Sequence, residues 1–164
     1  MSNQPLISII MNCYNSKKFL KEALDSVYAQ TYKNFEIIFW DNASTDDSGE
    51  IAQSYGEKVK YFRGEVNVPL GEARNLALAK VSGDLIAFLD CDDLWFPTKL
   101  EKQKEKFSNE KVGLVYTDTI FFNEDGDVKQ LYKDGNFPSG TCFETLFADY
   151  FLSLETVMIR AKVL

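Results

Sequence analysis

Short apolar runs alternate along the chain with stretches whose apolar positions recur at helical spacing. Leu6–Met11 (LISIIM) is nearly unbroken, the pattern of a strand buried on both faces. From Ser16 to Gln30, the residues Phe19, Leu20, Ala23, Leu24, Val27 and Tyr28 fall on one helical face, with Asn15 or Ser16 as caps. Phe35–Trp40 (FEIIFW) predicts a second strand, and Asp46, Asp47 and Ser48 start a short helix through Tyr55. Val59–Arg63 alternates as a third strand, and Asn67–Gly71 reads as a loop. Glu72–Val81 is helical and ended by Gly83, and Leu85–Leu89 (LIAFL) is a fourth buried strand. Thr98–Phe107 predicts a charged helix anchored by Leu100 and Phe107, with Glu101–Lys106 as its solvated face. Gly113–Thr117 reads as a fifth strand. Ile120–Asn123 and Val128–Tyr132 flank Glu124-Asp125-Gly126-Asp127, a hairpin signature. Phe143–Phe147 then reads as a helix and Thr156–Ile159 as a strand. Strands alternating with crossover helices predict an α/β fold with a mostly parallel sheet, and no repeat or linker divides residues 1–164.

Composition narrows the chemistry. The chain has 164 residues, 45% hydrophobic and 26% charged, enough for one globular domain. A net charge of −7 argues against a nucleic-acid partner, which needs a cationic surplus. Histidine is missing altogether, which removes Ser-His-Asp and Cys-His nucleophile systems and His-ligated zinc. Acid–base and metal chemistry must therefore rest on carboxylates. Cys13, Cys91 and Cys142 are odd in number and widely spaced, which fits small buried side chains in a reducing, cytoplasmic setting better than a disulfide framework. No apolar run approaches the roughly 20 residues that span a bilayer, and no secretory signal is visible. Peripheral association with a membrane is left open.

In open parallel sheets, ligands bind beyond the carboxyl ends of the strands. Asn12-Cys13-Tyr14-Asn15 follows the first predicted strand, Asp41–Asp46 the second and Asp90-Cys91-Asp92-Asp93 the fourth. Two carboxylates one residue apart at a strand end suit Mg²⁺ or Mn²⁺, which takes one or two protein carboxylates and completes its shell with water and phosphate oxygens. The alternative is that Asp92 or Asp93 caps the next helix. Asp41 either accepts hydrogen bonds from a base or ribose or belongs to a capping segment. Tyr14 either offers a flat face to a nucleobase or packs, and Arg74 either contacts a nucleotide or forms a salt bridge.

Five blocks in order carry a resemblance: Ile7–Asn15 (ISIIMNCYN), Ala29–Phe35 (AQTYKNF), Glu36–Ser48 (EIIFWDNASTDDS), Gly71–Asn75 (GEARN) and Phe88–Trp95 (FLDCDDLW). Together they resemble the family-two nucleotide-sugar glycosyltransferases, from Leu6 to Phe96, and more loosely through Val115–Asp118 and Thr156–Arg160. The resemblance implies the Rossmann-like GT-A fold and inverting transfer of a sugar from a nucleotide-sugar donor, UDP-linked by preference, to a saccharide or lipid-linked acceptor. It implies that Asn12 and Tyr14 hold the base, that Asp41 bonds it and that Arg74 contacts the nucleotide, with Asn15 and Cys91 counted alongside. Asp92 matches the ligand of a Mn²⁺ or Mg²⁺ ion, Asp90 a ribose- or metal-side contact, and Asp93 a contact to the donor sugar. Met11 stands where a proline is frequent, and Asn42 where a second aspartate is common.

With no histidine, the base that deprotonates the acceptor must be Asp or Glu. None of Asp118, Asp134, Glu144, Asp149 and Glu155 matches the family's late acidic pair, although Glu155 comes nearest by position. The expectation is therefore a donor-binding half whose base lies beyond Leu164. The rival reading is a nucleotide-sugar-binding module without turnover. Phosphoryl-transfer enzymes of the haloacid-dehalogenase type place D-x-D after an early strand, whereas here it follows the fourth, and receiver-type domains leave Tyr14, Asp41 and Arg74 without a role.

Overall fold

A computed structural model of the chain describes residues 4–123, 125–126, 128–131, 138–148 and 151–163. In chain order the elements are β1 (Ile7–Cys13), α1 (Leu20–Tyr28), β2 (Phe35–Asp41), α2 (Ser48–Gln53), β3 (Val59–Arg63), α3 (Leu70–Leu78) and β4 (Leu85–Phe88). They continue with α4 (Lys99–Lys106), β5 (Leu114–Val115), β6 (Ile120–Phe122), β7 (Val128–Gln130), α5 (Phe143–Ala148) and β8 (Met158–Arg160). Six strands form one sheet in the order β3-β2-β1-β4-β8-β5. The first four are parallel, and β8 runs antiparallel to both β4 and β5. β6 and β7 form a separate antiparallel pair with exposed side chains.

Each face of the sheet has its own apolar layer, which is why the strands read as unbroken apolar runs. Ile7, Ile9 and Met11 pack with Leu20, Leu24 and Val27 of α1 and with Leu100 of α4 on one face. Ile10, Ile38 and Phe88 pack with Ala73 and Ala77 of α3 on the other. The alanines let α3 lie close over the strands. The chain steps from β1 to β2 and β3 on one side and then crosses to β4 on the other, so the strand order reverses between β1 and β4. Such a switch point opens a crevice outside the carboxyl ends of the two strands.

Several boundaries differ from the sequence reading. α1 starts at Leu20 rather than Ser16, and neither Asn15 nor Ser16 caps it; Phe19 holds the cap position without a side-chain hydrogen bond. The Ser16 carbonyl instead accepts from the amides of Phe19 and Leu20 in a preceding turn. α3 begins two residues earlier than expected and ends at Leu78. Gly83 is not its cap. It sits against β1, where a Cβ would lie 2.7 Å from the Leu6 carbonyl oxygen. Gln103 departs from the solvated face of α4: it is buried, and its Nε2 donates to the Thr156 carbonyl at 2.7 Å. The hairpin is present, while Glu124, Asp127 and Tyr132 lie outside the described residues.

The last strand extends one residue beyond expectation, to Arg160, which is 2% exposed. Its guanidinium donates to the carbonyls of Val112 (2.7 Å), Phe107 (2.7 Å) and Asn109 (2.9 Å) and lies over the Phe107 ring. One side chain thus closes the turns between α4 and β5. Removing it strands buried acceptors at roughly 1–3 kcal/mol each before relaxation. Arg160→Met is expected to lower the unfolding free energy by about 2–4 kcal/mol in urea denaturation; a loss below 1 kcal/mol would show that these carbonyls find other partners.

Candidate functional site

The parallel register delivers polar residues to the crevice in rows. Asn12 of β1 stands opposite Trp40 of β2, and Cys13 opposite Asp41. Beyond β1 the Tyr14 ring is 52% exposed, free to present a face. Asn12 Nδ2 and Trp40 Nε1 are buried donors with no acceptor among the described residues. Asn15 sits at φ 52°. Its Oδ1 accepts from the Thr45 amide at 2.7 Å, and its own amide donates to Ser44 Oγ at 3.0 Å, so it braces two loops together.

The Asp41 carboxylate is held by its own scaffold at the end of β2. The residue is 0% exposed. Its Oδ1 accepts from the Ser44 amide at 2.7 Å, and its Oδ2 from the Tyr61 hydroxyl at 2.6 Å and Arg63 Nη1 at 2.5 Å. Burial pushes the carboxyl up, but these hydrogen bonds and the Arg63 charge outweigh it and hold the group below the usual carboxylate range. Asn42 is likewise occupied: its Nδ2 donates to the Val68 carbonyl at 2.8 Å and its Oδ1 accepts from the Val68 amide at 3.2 Å. An aspartate there would lose the donor half of this clamp on the loop before α3.

The turn after β4 carries the negative charge. Asp92 is exposed, Asp90 and Asp93 are half-buried, and Cys91 is buried. Arg74, in the first half of α3, reaches Asp90 with Nη2 to Oδ1 at 3.4 Å. Burial raises the Asp90 carboxyl above its ordinary value, with Arg74 opposing and Asp92 and Glu155 adding to the rise. Asp93 is pushed up to about 6, first by burial and then by the charges of Glu155, Asp92 and Asp90. The structure thus brings together Asp90, Asp92, Asp93 and Arg74, and it adds Glu155.

Glu155 is positioned through its backbone, whose carbonyl accepts from Trp95 Nε1 at 3.1 Å across 60 residues of sequence. Its carboxylate accepts from Ser153 Oγ. No local motif signals this approach. Lys99, another residue the sequence reading passed over, donates to Gln103 Oε1 at 2.6 Å and lies 4.4 Å from the Trp95 ring centre. Burial pushes its ammonium down to about 7, against the opposing pull of Glu155. Cys91 is buried, and its Sγ donates to the Asn12 carbonyl at 3.3 Å.

Among the described residues no three Asp, Glu, His or Cys side chains are arranged to hold a metal ion by themselves. Asp92 and Glu155 nevertheless add, after burial, to the raising of both Asp90 and Asp93. This donor set fits a hard divalent cation whose remaining ligands are water and phosphate oxygens. Of the candidate bases, Asp118 accepts from the Thr119 amide and Gln130 Nε2, Glu144 is exposed, and Asp134 and Asp149 lie outside the described residues.

Residues 8–157 match the sequence model of the family described as Glycosyl transferase family 2. An uncharacterized glycosyltransferase of Methanocaldococcus jannaschii is 32% identical over 168 residues, covering 99% of this chain and 58% of its own length. The putative teichuronic acid biosynthesis glycosyltransferase TuaG of Bacillus subtilis is 31% identical over 159 residues, covering 95% of this chain and 62% of its own. Among solved structures, residues 1–349 of S. aureus TarS in complex with UDP-GlcNAc superpose with a TM-score of 0.80 at 25% identity, covering 96% of this chain and 46% of that one. The chain spans less than two thirds of the length of each of these proteins.

The Asp41 tie makes a pH-dependent prediction. Because its folded pKa is depressed, its stabilisation is complete above the unfolded carboxylate value near 4 and is lost as pH falls through the lower folded value. Asp41→Asn is expected to cost about 2–4 kcal/mol at pH 7, since it removes the partner of Arg63 and a strong acceptor of Tyr61. Urea unfolding at pH 7 and pH 3 should show the gap to the unaltered protein narrowing at the lower pH. A gap independent of pH would mean that the Asp41 charge does not matter.

Proposed function

The chain belongs to glycosyl transferase family 2, and we propose that it binds a nucleotide-sugar donor at the β1–β4 crevice, a UDP-sugar by preference, for inverting transfer to a saccharide or lipid-linked acceptor. The observation that carries this reading is the convergence of Asp90, Asp92, Asp93 and Glu155 at the switch point, close enough to raise the carboxyls of Asp90 and Asp93. Further support comes from the neighbour whose structure holds UDP-GlcNAc.

In this reading Tyr14 lies against the base, and the unpartnered Asn12 amide donates to it. Arg74 steadies Asp90 and adds positive charge beside the phosphates. Asp92, the exposed member of the turn, and Asp90 hold the cation, while Asp93, kept closer to neutral, hydrogen-bonds the donor sugar. A Mn²⁺ or Mg²⁺ ion bound there supplies Lewis-acid neutralisation of the departing diphosphate. The acceptor hydroxyl attacks the anomeric carbon from the opposite face, and the base that takes its proton is assigned to none of the described residues. Among those residues no helix is long and apolar enough to cross a membrane; we place the protein in the cytoplasm, with lipid-linked acceptors met at the membrane surface. The second reading, a donor-binding module without turnover, draws on the engagement of Asp118 by Thr119 and Gln130, which leaves that acid poorly placed as a base.

Calorimetric titration with UDP tests the donor site. Mn²⁺ should tighten UDP binding at least tenfold, and Asp92→Ala should abolish that gain while leaving the metal-free affinity and the melting temperature unchanged. Equal affinity with and without Mn²⁺ would overturn the metal assignment. Tyr14→Ala should weaken UDP about fivefold to a hundredfold, the range for loss of one base–aromatic stack of roughly 1–3 kcal/mol.

A further inference from the structure

Cys13 closes β1, and Cys91 follows β4, the strand beside it. The β1–β4 register pairs Ile10 with Phe88; carried three residues on, it sets position 13 opposite position 91. Both cysteines are free and lie in the same apolar cluster, at 2% and 4% exposure. The register and the shared cluster set the two thiols beside each other on one face of the sheet. Cys91 Sγ also touches the carbonyl of Asn12, the residue next to Cys13, while Cys13 Sγ lies 3.9 Å from Ser44 Oγ. The Cys13 thiol is pulled down to about 6, foremost by its bond with Cys91 and further by the hydroxyls of Ser48, Ser16 and Ser44, against the opposing effect of burial. One buried cysteine needs no explanation beyond packing. Two side by side, one of them inside the carboxylate turn, make a chemically competent pair.

We propose that Cys13 and Cys91 form an oxidative modification site, at which a peroxide-class oxidant closes a disulfide that ties the end of β1 to the carboxylate turn. The Cys13 thiolate attacks a peroxide oxygen, the O–O bond breaks, and hydroxide leaves as Cys13 becomes a sulfenic acid. The Cys91 sulfur then attacks the Cys13 sulfur, the S–O bond breaks, and the Cys91 proton leaves with the hydroxyl as water. Overall two thiols and one hydrogen peroxide yield one disulfide and two waters. An S–S bond of about 2.05 Å is shorter than any non-bonded thiol contact. Closing it draws Cys91 toward the core and moves Asp90 and Asp92, its chain neighbours. The oxidised protein therefore binds the donor's diphosphate more weakly.

The test treats the full chain with hydrogen peroxide and then unfolds it in the presence of an alkylating agent. The expected result is loss of two hydrogens in intact mass, a cross-linked peptide joining Cys13 to Cys91, and alkylation confined to Cys142. The melting temperature should rise under non-reducing conditions and return with dithiothreitol, and neither change should occur in Cys13→Ser or Cys91→Ser. Should a serine variant fold poorly, Cys91→Ala provides the same control without a buried hydroxyl. Oxidation should also weaken UDP binding in Mn²⁺ at least tenfold, reversibly. Alkylation of all three cysteines after peroxide, or cross-linking through Cys142 instead, would overturn the proposal. If reduced protein fails to bind UDP, the donor reading falls, while mass and melting temperature still decide the disulfide.

Discussion

A parallel sheet buried on both faces leaves its strands no room for polar side chains except at their ends. That constraint shapes the rest of this molecule. β2 is buried along its whole length and β4 likewise, so polar groups gather where the backbone leaves the sheet. There they meet loops that cannot be held by apolar packing. Backbone amides in those loops must still find partners. Much of the polar chemistry at the carboxyl edge consequently serves the scaffold: Asp41 satisfies the Ser44 amide, Asn15 that of Thr45, and Asn42 that of Val68.

This division explains what the sequence could and could not disclose. Strand cores and the α1 face were legible because their periodicity is a direct consequence of burial on one or both sides, as Ile9 and Leu24 illustrate. The acidic turn was legible because its residues are contiguous. The scaffold contacts of Asp41 were not. One of its partners, Arg63, is 22 residues away. Glu155 and Arg160 were harder still. Each acts through contacts made at long separation, Glu155 with Trp95 and Arg160 with the turn after α4, and neither lies in a local pattern that marks it. Helix starts failed for a related reason. Asn15 and Ser16 have capping chemistry, but a tertiary demand from the neighbouring loop took the Asn15 side chain first.

The electrostatics of the crevice follow from the same geography. The chain carries a surplus of acids, yet most of its charges stand on solvated surfaces where water screens them. At the turn after β4 the half-buried carboxylates of Asp90 and Asp93 lie near Asp92 and Glu155, and part of that screening is gone. Arg74 answers Asp90 from 3.4 Å. Lys99 meets Glu155 from the other side, but its own burial weakens its charge. Asp93 stands up at about 6, first through its burial and then through the charges of Glu155, Asp92 and Asp90.

A cation bound at this turn, as proposed, would bind the folded chain alone, so affinity and stability there would be linked. Asp90 stands two residues past β4, and β4 is clamped between β1 and β8, which holds the backbone bearing the carboxylates in place. For the proposed site that support is preorganisation: the carboxylates are already close, and little further ordering would be needed on binding. A looser support would let the acids swing apart into solvent and lose the site. The apolar layers beneath Ile10 and Met11 thus act on the crevice through the rigidity they give β1, without touching anything bound there.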